Sequence, residues 1–277
     1  FAKQKVDVAL IETGIGGRLD STNVLVPEVS VITTVSLEHT DMLGDTFAQV
    51  ASEKAGIIKE HKPVVVGVRN EEARSVICEI AQNKKAPLYM LDDVIYIHKN
   101  ETHQTFTYEA LGRRLDDVKV KMAGGHQLDN AALAITAALL FDPTIGDDVI
   151  RHSLRTASWD GRFERILPNV ILDGAHNSEG TAALLSTLAQ VAPDKSYKFV
   201  YAALQDKDHG VSIRMMDMVA TEIYFTEIHL PRATKAEVLA AESTHKRKMI
   251  NKDWRALLRE QYEKLQEQEL LIITGSL

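Results

Sequence analysis

Six short segments hold the acids, histidines, lysine and glycines from which phosphate or metal chemistry could be built. Each one follows an apolar run, opens a helical pattern or sits at a break between patterns. The first is Glu12-Thr-Gly-Ile-Gly-Gly-Arg-Leu-Asp20, directly after the run Val6–Ile11. Glycines after a strand suggest a dinucleotide turn, but the third glycine of that fingerprint is Leu19 here. A tight turn remains the plain alternative, while a carboxylate such as Glu12 at a strand end could hold a metal. The second segment, Ser36-Leu-Glu-His-Thr-Asp41, follows the run Val29–Val35 and offers His39 in the corresponding place.

The third segment is a helix. Thr46 and Gln49 have the spacing of a capping box, and Phe47, Val50, Ala51, Ile57 and Ile58 form the apolar face that follows. Lys54 falls on that face. A buried ammonium without partners is costly, so Lys54 either reaches the surface, pairs with Glu53 or another acid, or points into a site where a neutral amine would be reactive. The fourth segment is Gly124-Gly-His-Gln-Leu-Asp-Asn130, before the helical pattern Ala131–Leu140. Glycines there would leave N–H groups free for an anion, and Asn130 could bind an adenine edge or a phosphate. The fifth, Trp159-Asp-Gly-Arg162-Phe-Glu164, reads as a hinge with an arginine. The sixth, Asp173-Gly-Ala-His-Asn177, places Asp173 and His176 at the end of a strand. Leu204–Asp208 and Pro231-Arg-Ala233 are weaker candidates.

The elements that must position these residues alternate. Apolar runs at 6–11, 29–35, 63–67, 170–172, 198–201, 222–225 and 270–273 are separated by helical patterns such as 46–59 and 181–191. Continuous apolar runs indicate strands buried on both faces, hence parallel sheets covered by helices. The Thr-, Tyr- and Ile-containing stretch 88–120 reads instead as antiparallel hairpins, Val94–His98 with Gln104–Tyr108. The break at 153–162 divides the 277 residues into lobes 1–155 and 156–277. With 32 Lys and Arg against 39 Asp and Glu, the net charge of −7 argues against nucleic acid or a membrane as partner. The one cysteine, Cys78, reads as a small buried residue and excludes an intrachain disulfide, which suits the cytoplasm.

In order, these segments resemble the folylpolyglutamate/dihydrofolate synthases of the Mur ligase superfamily. Glu12 to Asn23 is the most specific match, followed by Ser36–Thr40, Leu43–Thr46, Glu53–Ile57, His126–Asn130, Gly161–Glu164, Asp173–Asn177, Asp206–Asp208 and Thr274–Leu277. The resemblance implies an α/β protein with a Mur-ligase-type central ATPase domain and a C-terminal Rossmann-like domain. It implies that Glu12 and His39 bind Mg²⁺ and that Lys54 is carbamylated by CO₂. Asn130, Arg162 and Asp173 would contact ATP, with His176 beside them. The implied reaction is ligation of L-glutamate to dihydropteroate or a folate through an acyl phosphate, by a monomer acting on small molecules.

One departure stands out. No Gly-x-x-x-x-Gly-Lys-Ser/Thr phosphate loop occurs. Since the chain opens in mid-pattern, the expectation is a fragment whose central domain is incomplete and which is inactive alone. The rival readings are a ligase of cell-wall precursors, a non-catalytic relative that binds nucleotide or folate, and more distantly a Rossmann oxidoreductase.

Overall fold

The computed structural model describes residues 2–100, 103–205 and 209–275. The chain forms two compact units, one of residues 1–99, 105–118 and 128–154, the other of 100–104, 119–127 and 155–277. The second unit therefore borrows two short segments from before the break at 153–162.

In the first unit, β1 (Ser30–Ile32), β2 (Val64–Val66) and β3 (Leu88–Met90) form a parallel sheet in that order. Between them run α1 (Thr40–Leu43), α2 (Phe47–Ala55) and α3 (Glu71–Asn83). The valines of β2 are fully buried, as a central parallel strand requires. The expected capping box of α2 is present: Gln49 N–H donates to the Thr46 hydroxyl, and Gln49 Oε1 accepts from Thr46 N–H, both at 3.2 Å. On α3, Ala73, Ile77 and Ala81 share the buried face at a spacing of four. Cys78, one position on, is exposed rather than buried, with Sγ 3.7 Å from Met90 Sδ.

A second sheet is the meander β4 (Tyr96–Asn100), β5 (Thr105–Ala110) and β6 (Arg113–Lys119). Leu111 and Gly112 join β5 to β6 with φ of 54° and 70°, the two positive values of a type I′ hairpin turn. The expected hairpin region thus begins at Tyr96, because Leu88–Met90 pairs with β2 instead. Helices α4 (Gly125–Phe141) and α5 (Asp147–Thr156) follow.

One expected strand is missing. Val6–Ile11 has no strand pairing among the described residues, and Val8 and Leu10 are 53% and 92% exposed. An apolar run reports a tendency to be buried, whereas a strand also needs a neighbouring edge.

The second unit holds one sheet, ordered β11-β10-β9-β12-β8-β7. Its strands are β7 (Glu164–Leu167), β8 (Val170–Asp173), β9 (Ser196–Ala202), β10 (Ala220–Glu227), β11 (Lys248–Asp253) and β12 (Glu269–Gly275). All pairings are parallel except β7 with β8. Helices α6 (Ser178–Val191), α7 (His209–Asp217), α8 (Ala236–Glu242) and α9 (Trp254–Lys264) connect them. The period-two alternation of β9 sends Phe199 and Tyr201 into one core with Leu184, Leu188, Ile213 and Phe225. Val200 faces the other way, into a smaller core with Leu257 of α9. The last strand returns to lie between β8 and β9, so the strand order reverses there. Ligands of such sheets bind at that point, beyond the carboxyl ends of the strands.

Candidate active site

In the first unit, residues 14–23 fold into a turn that docks on the last turn of α2. Asp20 organises it. Its Oδ2 accepts from the N–H groups of Gly14 (2.8 Å) and Ile15 (3.3 Å), and Oδ1 accepts from the Thr22 N–H (2.9 Å) and hydroxyl (2.6 Å). The Thr22 hydroxyl, then the Thr22 and Gly14 N–H groups, hold the Asp20 carboxyl down at about 2. Two glycines set the docking distance. A Cβ on Gly17 would lie 2.9 Å from the carbonyl oxygens of Glu53 and Lys54, and one on Gly56 would lie 2.4 Å from Arg18 Cα. Asn23 completes the contact by donating its side-chain N–H groups to the carbonyls of Arg18 (3.0 Å) and Gly56 (3.2 Å). The glycine-rich segment is thus a packing device against the helix that carries Lys54.

Glu12 precedes this turn and is exposed, as is His39. His39 has φ 51° and ψ 40° at the N-cap of α1. Lys54 is partly buried, and among the described residues its side chain makes no ion pair or hydrogen bond. The pairing with Glu53 that would have quieted it does not form, because Glu53 is bound to Arg18 at 2.8 Å. The three segments converge: Ile15 and Leu19 from the turn, Met42 and Leu43 from α1, and Glu53 from α2 line one open depression of about 320 Å³. Among the described residues no three His, Cys, Asp or Glu side chains gather into a metal cage.

Asn130 lies in the second turn of α4, not beyond a glycine loop, because the helix begins at Gly125. Its side chain is exposed. Gly124 is required for its backbone: φ is 108°, and a Cβ would lie 2.7 Å from the His126 ring and from Thr187 Oγ1.

In the second unit, Asp173 ends β8, next to the point where the strand order reverses. Its Oδ2 accepts from Phe163 N–H (2.8 Å) and its Oδ1 from Ala175 N–H (2.9 Å). Burial pushes this carboxyl up, against the opposing effect of those two N–H groups and of the nearby charges of Arg162 and His126. Arg162 is exposed on a turn held by Gly161 N–H donating to Glu164 (2.8 Å) and by Gly174 N–H donating to the Gly161 carbonyl (2.8 Å). Phe163 takes φ 47°, a strained value for a residue with a side chain, to deliver its N–H to Asp173. His176 Nδ1 lies 2.9 Å from the Gly174 carbonyl, and Asn177 caps α6 by accepting from Gly180 N–H at 2.7 Å. The Ala175 carbonyl accepts from Gly275 N–H (3.0 Å) and from the Thr274 hydroxyl (3.2 Å). Three of the sequence segments, at 161–164, 173–177 and 274–275, therefore form one hydrogen-bonded knot. Asp206, Lys207, Asp208, Ser276 and Leu277 lie outside the described residues.

Sequence reasoning missed Arg18, Glu53, Asp20 and Glu164 as the residues that hold these turns. Asp20 was within reach, since an aspartate after a glycine turn with a threonine two residues on is a turn signal. The Arg18–Glu53 pair spans 35 positions and has no local signature.

This combination of a helix-covered parallel sheet bearing a lysine helix and a second parallel sheet with an acid at its switch point is that of a Mur ligase. Residues 1–138 match the Mur ligase middle domain, and residues 161–277 match the Mur ligase glutamate ligase domain. The chain is 36% identical over 282 residues to the dihydrofolate synthase/folylpolyglutamate synthase of Bacillus subtilis, covering 99% of this chain and 66% of that protein. Among solved structures, it superposes with a TM-score of 0.88 on the bifunctional folylpolyglutamate synthase/dihydrofolate synthase of Yersinia pestis complexed with AMPPNP and Mn ion, at 30% identity over 99% of this chain and 65% of that one. The TM-score is 0.89 for the Mycobacterium tuberculosis folylpolyglutamate synthase complexed with ADP and AMPPCP, at 29% identity over 100% of this chain and 67% of that one. The chain belongs to the folylpolyglutamate/dihydrofolate synthases of the Mur ligase family. It spans about two thirds of the length of the curated relatives it matches.

Proposed function

We propose that the complete protein joins L-glutamate to dihydropteroate or a folate at the expense of ATP, through an acyl phosphate. The observation that best supports this reading is the convergence of residues 14–23 and α1 on the last turn of α2. It leaves Lys54 without a counter-ion among the described residues, next in sequence to Glu53, which lines the depression with Ile15, Leu19, Met42, Leu43, Asp20 and Ser21. An amine in that state is available to react with CO₂, and the resulting carbamate is an oxygen donor.

The donor set fits a hard divalent cation. Glu12 offers a carboxylate and Lys54 a carbamate, while His39 adds an imidazole, a less usual ligand for Mg²⁺. Glu12 and His39 are both exposed and, among the described residues, unpaired. When bound, Mg²⁺ would neutralise charge on the phosphates of the nucleotide. Asn130, Arg162 and Asp173 contact the nucleotide, the arginine contributing positive charge to the phosphates. His176, three residues after Asp173, is proposed to act on the same nucleotide. The apolar side chains Ile15, Leu19, Met42 and Leu43 offer a surface for the ring system of the acceptor.

A carboxylate oxygen of the acceptor attacks the γ-phosphorus of ATP and displaces ADP. The amine of glutamate then attacks the acyl carbon, loses a proton and expels phosphate. Hydroxide would be a poor leaving group from the free acid, which is why phosphorylation must come first.

The test is ADP release by the full-length protein with L-glutamate and a panel of acceptors. Turnover with dihydropteroate or reduced folates, and none with UDP-linked muropeptides, is the expected result. The reverse preference would assign the protein to cell-wall synthesis. Nucleotide binding without turnover on any acceptor would make it a binding protein.

A further inference from the structure

Asp129 sits one position before Asn130 on α4, and it is held by cations from two other elements of the same unit. Its Oδ2 accepts from Arg69 Nη1 and from Lys99 Nζ, both at 2.8 Å, and its Oδ1 accepts from Arg69 Nη2 at 3.0 Å. Arg69 follows β2 by a short loop, and Lys99 lies on β4. The Arg69 Nε–H also donates to Asp92 at 2.9 Å, which ties the fork to the segment after β3. The Asp129 side chain is only 15% exposed, so the pair is partly shielded from water and geometrically fixed by its bidentate form. Burial alone would raise this carboxyl, yet the bonds from Arg69 and Lys99 outweigh it and hold it below its ordinary value.

Two further contacts lie along the same helix. Leu133, one turn beyond Asp129, packs so closely on the end of β2 that a Cβ on Gly67 would lie 2.6 Å from its Cδ1. Thr136 Oγ1 lies 3.0 Å from the Tyr108 hydroxyl of β5, in the interior. Asp129, Leu133 and Thr136 are spaced by four and three, so one stripe of α4 is seated at three points. The charged point is the one nearest Asn130, and helix geometry turns the Asn130 side chain about 100° away from it.

We infer that Arg69 and Lys99 are positioning residues for Asn130, acting through Asp129. They fix the rotation and height of the second turn of α4, and so the direction in which the Asn130 amide is presented. The inference rests on the reading that Asn130 contacts the nucleotide.

The test is calorimetric ATP binding to the full-length protein, as a cycle of Asp129→Asn, Asn130→Ala and the double variant. Asp129→Asn keeps the size of the side chain and removes its charge. Each single variant is expected to weaken ATP binding about tenfold, whereas adding Asp129→Asn to Asn130→Ala changes it less than about twofold. Steady-state kinetics should show the loss in the KM for ATP, with kcat little altered. Equal weakening by Asp129→Asn in both backgrounds would overturn the inference, because the loss would not pass through Asn130. Unchanged affinity in Asp129→Asn, beside a weakened Asn130→Ala, would overturn it as well. Unchanged affinity in Asn130→Ala would instead overturn the nucleotide reading on which it rests. Should Asp129→Asn not fold, Lys99→Met removes one cation and leaves the Arg69 fork. It is expected to weaken ATP binding about threefold, again only while Asn130 is present.

Discussion

The Arg18 guanidinium donates two hydrogen bonds to one oxygen of Glu53, at 3.0 and 2.8 Å, while the Arg18 backbone N–H donates to the Glu53 carbonyl at 2.7 Å. Side chain and main chain together fasten the turn to the helix immediately before Lys54. Arg18→Ala would free the Glu53 carboxylate to pair with Lys54 and hold it as an ammonium. The full-length variant is expected to lose most of its ligation activity while unfolding at nearly the wild-type temperature. Arg18→Ala with Glu53→Gln should recover part of the loss, since the competing carboxylate is gone.

Gly17 and Gly56 set how closely the turn approaches α2. Alanine at either place puts a Cβ within 2.9 Å or 2.4 Å of backbone atoms that cannot turn aside. Each substitution is expected to cost about 1–3 kcal/mol, read from the urea midpoint. Gly146→Ala is the control. Its Cβ would meet nothing within 4 Å, and its φ is not positive, so it should be neutral or slightly stabilising.

Asp20 supplies a pH dependence of known sign. Its folded carboxyl lies at about 2, below the ordinary 3.8. A lowered carboxyl contributes stability that is present above the ordinary value and lost as pH falls through the folded one. The urea midpoint of the wild type should therefore exceed that of Asp20→Asn at pH 6, and the gap should close between about pH 4 and pH 2. A gap that persists unchanged at pH 2 would show that the charge of Asp20 is not what holds the turn.

How far the sequence could be read depends on the range of the interaction. The buried central strands of the second unit were legible in 198–201, 222–225 and 270–273, because a strand covered on both faces is apolar without alternation. The edge strand β11, Lys-Met-Ile-Asn-Lys-Asp, was not, since none of its side chains is buried and four of the six are polar. The capping box of α2 was legible because both partners lie within three residues. Val6–Ile11 has the composition of a strand, but pairing depends on what lies beside it, which no local pattern encodes. In the candidate site, the ends of the apolar runs drew attention to the segments that carry Glu12, His39 and Asp173. Their internal logic was hidden, because Arg18 meets Glu53, Phe163 meets Asp173 and Gly275 meets Ala175 across long stretches of chain.

Lys54→Ala in the full-length protein is expected to abolish glutamate ligation while ATP still binds. A short carboxylic acid added to the assay should restore some activity by taking the place of the carbamate. Full activity of Lys54→Ala without added acid or CO₂ would remove the carbamate from the account.

The central claim, an acyl phosphate on the acceptor carboxylate, is tested most directly by oxygen transfer. The acceptor is labelled with ¹⁸O in the carboxyl group that receives glutamate, and the phosphate released by the full-length protein is examined by mass spectrometry. The account requires one labelled oxygen in each phosphate, because the carboxylate oxygen that attacks ATP departs with the phosphoryl group. Phosphate free of label, alongside glutamylated product, would contradict it.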